Sequence, residues 1–187
     1  SKIFLELQKI NKSLNIKDLI ITSSDQKKEF SSENNVYVFD KLDTKFKKFI
    51  SKKVNISKTI FISFGCRWIF KKKDINFFQN NLLNFHGTRL PFDAGGGRIS
   101  WTIMREDRID NQLVHIVDEG LDTGPIIDNH LSLFPKHCQI RNCCDNTISE
   151  TFSNSELSSK LVITNCFLSI SEAALSDSII CFSGSVC

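Results

Sequence analysis

A chain of 187 residues is long enough for one domain with a substantial core. Its 41% hydrophobic and 24% charged residues are ordinary for a soluble globular protein, and no apolar run approaches the roughly 20 residues that span a bilayer. The net charge of +3 is too small to argue for a nucleic-acid partner, and the opening "SKIFLELQKINKS" lacks the apolar core and cleavage site of a signal peptide. The expected location is cytoplasmic, with no membrane partner.

The averages conceal a break. Residues 1–137 hold 22 basic and 16 acidic residues, whereas 138–187 hold 2 and 5, with six of the seven cysteines and eleven serines. The expected organisation is one domain over 1–137 followed by an atypical Ser/Cys-rich tail over 138–187.

In chain order, "SKIFLELQKINKSL" places Ile3, Phe4, Leu7 and Ile10 at helical spacing. "IKDLIIT" (16–22) and "NVYVF" (35–39) are expected strands. "LDTKFKKFISKKV" (42–54) sets Phe46, Phe49 and Ile50 against a lysine face, an amphipathic helix. "KTIFISF" (58–64) is the next strand, "KKKDINFFQNN" (71–81) a short helix and "LLNFH" (82–86) a further strand. "GRISWTIMRED" (97–107) reads as a helix after three glycines, and "QLVHIVD" (112–118) and "PIIDNHLSL" (125–133) as strands. Strands alternating with helices predict an α/β fold with a mostly parallel central sheet and helices on both faces. Because the first element is a helix where such domains usually start with a strand, the sheet is expected to lack its first strand. Ligands in such sheets bind beyond the carboxyl ends of the strands.

Four stretches there can carry chemistry. In "NFHGTRLP" (84–91), Asn84 and His86 stand two apart on a strand and face the same side. An amide N–H can stabilise an oxyanion, and an imidazole can donate or take a proton near neutral pH. A pair of polar groups bonding a neighbouring loop is the plain alternative. In "VDEGLDTGP" (117–125), glycines let the loop fold back and aim one of three carboxylates at His86, orienting its ring. A solvated turn is the plain alternative. A calcium site lacks the regular ligand spacing, and no metal is expected.

"SFGCRWIF" (63–70) mixes Phe64, Trp68, Ile69 and Phe70 with a glycine and can wrap a flat heteroaromatic ring, or simply pack aromatics locally. "AGGGRISW" (94–101) offers backbone N–H groups to an anion, with Arg89 and Arg98 as further charge, or is only a flexible turn. His115 reads as a satisfied core histidine.

Taken together, "LLNFHGTRLP", "SWTIMRED" and "LVHIVDEGLDTGPII" resemble the 10-formyltetrahydrofolate-dependent formyltransferases, over roughly 58–135 and more faintly over 1–57. That resemblance implies a Rossmann-like formyltransferase fold and a formyltransferase catalytic domain over 1–137. It implies that Asn84, His86 and Asp122 are catalytic, with 10-formyltetrahydrofolate as the formyl donor. Asn84 and His86 would stabilise the oxyanion, and Asp122 would position His86 and relay the amine proton. The loops holding Phe64, Gly65, Trp68 and Phe70, and Val117 and Asp118, match those that hold the pteridine. The resemblance also implies that Gly87, Arg89 and Trp101 fall where the acceptor binds.

Where the family carries Ser-Leu-Leu-Pro, this chain has Thr88-Arg89-Leu90-Pro91. Its glycine run followed by Ser100-Trp101 is closer to the sugar-nucleotide N-formyltransferases. A nucleotide-linked amino sugar, such as a dTDP-4-amino-4,6-dideoxyhexose destined for surface polysaccharide, is therefore the first acceptor reading. Methionyl-tRNA is the second, a degenerate inactive copy the third, and a homodimer is left open. The tail's cysteines lack paired C-x-x-C spacing, so zinc is not expected there.

Overall fold

The computed structural model describes residues 17–30, 35–64, 68–95, 101, 104–133 and 178–183. Among them run seven strands: β1 (Lys17–Thr22), β2 (Val36–Val38), β3 (Thr59–Phe64), β4 (Leu82–His86), β5 (Ile109–Ile116), β6 (Ile126–Leu133) and β7 (Ser178–Ser183). Two α-helices are described in full, α1 (Thr44–Lys53) and α2 (Lys72–Phe77). The strands form one sheet in the order β2-β1-β7-β3-β4-β5-β6.

Local chemistry explains the helices. Asp43 caps α1 by accepting the Phe46 N–H at 3.0 Å, and Lys52 and Lys53 close its last turn against the negative end of the dipole. In α2, Asp74 reaches back to the Lys71 N–H at 3.2 Å, and its carboxylate also pairs with Lys47 of α1 at 2.8 Å. Phe46 and Ile50 of α1 and Phe78 after α2 pack on Leu19, Ile21, Phe61 and Leu82 from β1, β3 and β4. The Phe61 and Phe78 ring centroids are 4.7 Å apart. Burying each such side chain contributes roughly 1.5–3 kcal/mol. The opposite face of the sheet is buried too, through Ile20, Ile60, Ile62 and Leu83.

Two expectations are corrected. The sheet is mixed, not mostly parallel: β2, β1, β7, β3 and β4 run parallel, but β5 is antiparallel to β4 and β6 to β5. The loop joining β5 to β6 is too short for a crossover, which needs a dozen or more residues. The helices do not cover both faces among the described residues, because α1 and α2 share one cluster on one face. A strand that the sequence did not announce, β7, lies between β1 and β3 and pairs parallel with both. The serine- and cysteine-rich composition around β7 had hidden it.

The helix expected over residues 1–14 lies outside the described residues, and of the one expected over 97–107, Trp101 and Met104 are helical. No described helix is long and apolar enough to cross a membrane.

Candidate active site

The site forms where the sheet changes direction. Register pairs Asn84 with His115 and His86 with Leu113, so Asn84, His86 and His115 face the side covered by α1 and α2. The turn after His86 is anchored by Thr88, which is fully buried. Its hydroxyl donates to the Asp93 carbonyl, and its own carbonyl accepts the Asn111 amide at 2.8 Å.

Because β5 runs antiparallel, its carboxyl end lies beside the start of β4, with the Val117 N–H donating to the Leu82 carbonyl at 2.9 Å. To reach His86 at the far end of β4, the loop over 117–125 has to fold back across the sheet. Two features allow it. Asp122 sits in the left-handed region at φ 54°. Gly124 passes so close to β5 that a Cβ there would lie 1.8 Å from the Ile116 carbonyl oxygen. Within the loop, Asp118 accepts from the Gly120 N–H and the Thr123 hydroxyl, and Glu119 pairs with Lys72 of α2 at 2.8 Å.

The fold-back brings one Asp122 oxygen to 3.4 Å from His86 Nε2. That is an ion-pair distance without the geometry of a formed hydrogen bond, and His86 Nε2 is buried with no hydrogen-bond partner among the described residues. The same oxygen accepts the Gly95 N–H at 2.8 Å, and the other lies 3.8 Å from His115 Nε2. The His86 ring, against the opposing effect of burial and with help from Gly95, draws the Asp122 carboxyl down to about 2. Asp122 is therefore ionised throughout the neutral range.

Of the residues expected at the donor, Trp68, Phe70 and Val117 are half-buried and pack against one cluster beside Leu82. Phe64 is set apart. It stacks on Phe85, with centroids 5.7 Å apart, and Phe85 faces away from its neighbours Asn84 and His86. Gly65 lies outside the described residues, and the Asp118 carboxylate is spent within its own loop.

Of the residues expected at the acceptor, Gly87 follows His86 directly and Trp101 is 56% exposed. Arg89 is held between Asp93, at 3.1 Å, and Asp107, while Arg105 binds the other Asp93 oxygen at 2.7 Å. This network turns the Arg89 charge inward on two carboxylates. Among the described residues, no group of three or more His, Cys, Asp or Glu side chains is placed to hold a metal ion.

His115 was not singled out for the site. The sequence around it, Leu113-Val114-His115-Ile116, reads as plain core, and only cross-strand register reveals its neighbour. Its Nε2 lies 3.1 Å from the Asn84 amide nitrogen.

No protein-family model matches the chain. It is 26% identical over 131 residues to the methionyl-tRNA formyltransferase of Clostridioides difficile, an alignment covering 66% of this chain and 42% of that protein. Its fold matches the formyltransferase PseJ from Anoxybacillus kamchatkensis, solved with UDP-4,6-dideoxy-4-formamido-L-AltNAc and tetrahydrofolate, with a TM-score of 0.57 at 20% identity over 84% of this chain and 77% of PseJ. It also matches phosphoribosylglycinamide formyltransferase from Bacillus halodurans, with a TM-score of 0.60 at 16% identity over 84% and 97% of the two chains. The fold is that of these formyltransferases, and the sequence is similar to methionyl-tRNA formyltransferases over part of their length. The chain spans less than half the length of the curated relatives it matches.

Proposed function

We propose that the chain transfers a formyl group from 10-formyltetrahydrofolate to a primary amine on a nucleotide-linked amino sugar. The observation that carries the reading is the convergence of Asn84, His86 and Asp122, with a buried imidazole nitrogen that has no hydrogen-bond partner among the described residues. The half-buried surface of Trp68, Phe70 and Val117 fits the flat ring of a folate, which would supply the activated formyl group. Asn84 and His86 donate hydrogen bonds to the formyl oxygen as the amine attacks and negative charge develops there. Asp122 orients His86 and accepts the proton that the amine sheds, directly or through one water, and a proton is returned to N10 of the folate as the formyl C–N10 bond breaks and tetrahydrofolate leaves.

The sugar acceptor is supported by the glycine run before Ser100-Trp101 and by the exposed indole of Trp101, which offers a stacking face for a nucleobase. The likeness to methionyl-tRNA formyltransferases supports a second reading, with methionyl-tRNA as acceptor.

Incubation with 10-formyltetrahydrofolate and a panel of dTDP- and UDP-linked amino sugars, followed by product mass, is expected to show a gain of one formyl group. His86→Ala is expected to abolish transfer while folate binding survives. Transfer to methionyl-tRNA alone would select the second reading. No transfer to any acceptor would overturn both and leave a degenerate, inactive copy.

A further inference from the structure

His115 is one of the most buried polar residues in the sheet, and the proposed chemistry does not use it. Its two ring nitrogens have different partners. Nδ1 lies 2.9 Å from the Ile116 carbonyl oxygen and Nε2 lies 3.1 Å from the Asn84 amide nitrogen. A carbonyl oxygen only accepts, so Nδ1 carries the proton. In the neutral ring Nε2 is then an acceptor, and the Asn84 NH2 group must donate to it.

This fixes an otherwise ambiguous side chain. The two ends of an Asn amide are nearly the same size, and a rotation of about 180° exchanges donor for acceptor. With its nitrogen held on His115, Asn84 keeps one amide hydrogen on the histidine and leaves the second to a ligand on the same face as His86. The flipped amide would set oxygen against the lone pair of Nε2 and lose the bond. We propose that His115 is a positioning residue, locking the Asn84 amide so that it presents an N–H to the reacting oxygen.

The surroundings keep the lock in one state. Burial holds His115 below the usual imidazole range, against the opposing effects of the Ile116 carbonyl and the Asp122 and Asp118 charges; the nearby His86 adds to the lowering. The Ile116 carbonyl that fixes the tautomer is the one Gly124 packs against. The backbone of the hairpin loop thus helps set the tautomer, and the tautomer sets the amide.

The catalytic part of this inference rests on the proposed formyl transfer, but the orientation does not. Nitrogen-15 NMR of the full chain labelled at histidine and asparagine reads the orientation directly, without any substrate. His115 is expected as the Nδ1–H tautomer, with Nε2 shifted by an accepted hydrogen bond and with one protected Asn84 amide proton. An Nε2–H tautomer in the native protein would overturn the inference. In His115→Phe the Asn84 signature is expected to disappear and kcat to fall roughly 10- to 100-fold with little change in KM. That is less than the roughly 10²- to 10³-fold cost of removing an oxyanion donor outright.

His115→Gln places an amide oxygen near the position of Nε2 and is expected to recover most of the rate. In an Asn84→Ala background, His115→Phe should cost nothing more. Independent, multiplying losses in the double variant would show that His115 acts only through packing. The expected tautomer together with no formyl transfer by the native chain would uphold the positioning and count against the proposed reaction.

Discussion

The two parts of the sheet are built on different terms. In the parallel part, Ile20, Ile21, Phe61, Ile62 and Leu82 are fully buried, and β3 is buried along five of its six positions. In the antiparallel ribbon, Leu113 and Val114 are buried, but Ile126, Ile127, Leu131 and Leu133 are exposed. Parallel strands covered on both faces have to be apolar throughout, whereas an antiparallel ribbon can keep one side open and vary it. The polar groups of the site gather at the seam, on β4 and β5, where buried backbone supports them from one side and the ribbon's loop approaches from the other. Rigid support with a variable partner suits a site that must hold donors in fixed directions.

Perturbing each part separately tests this division. Phe61→Ala, in the parallel core, should lose about 3–5 kcal/mol of unfolding free energy by urea titration, through lost burial and a cavity. Gly124→Ala should cost up to about 3 kcal/mol, because the added Cβ meets the Ile116 carbonyl at 1.8 Å and has to push the loop off β5. A loss as large as that of Phe61→Ala would show the ribbon loop to be as integral as the core.

Asp122 should contribute roughly 2 kcal/mol, since its carboxyl falls from 3.8 to about 2 on folding. A depressed folded value means this stability is present above pH 4 and is lost as pH falls towards 2. Asp122→Asn should flatten the stability profile over that window, and parallel profiles for the two proteins would contradict the assignment. Leu131→Ser, on the exposed side of the ribbon, should stay within about 0.5 kcal/mol of the parent. A larger loss would mean that the ribbon's open side is covered in solution.

Much of this arrangement is legible in the residues. "LLNFH" spans β4 at its observed bounds, and the helix expected over 42–54 is found at Thr44–Lys53, because apolar spacing and Asp43 capping are local signals. That one of the three carboxylates over 117–125 could reach His86 was read from the loop's glycines, but that it would be Asp122 came only with the family resemblance. The direction of β5 was not legible, because parallel and antiparallel strands share one apolar pattern and only the connections distinguish them. β7 was missed because its short apolar run lies in a serine- and cysteine-rich segment. His115 was missed because its partner, Asn84, is brought to it by register across two strands, a relation that spacing along the chain does not contain.

The position of β7 also bears on how the molecule is assembled during synthesis. It is the last of the seven described strands to be made, yet it fills the middle of the sheet, standing between β1 and β3. Until it emerges from the ribosome, each flank exposes an edge of unpaired N–H and C=O groups to any other strand nearby. The pairings it closes span most of the chain, which makes that closure slow compared with the local hairpin of β5 and β6. Chains stalled just short of Ser178 should be cut by protease between the two flanks, and chains released past Ser183 should resist.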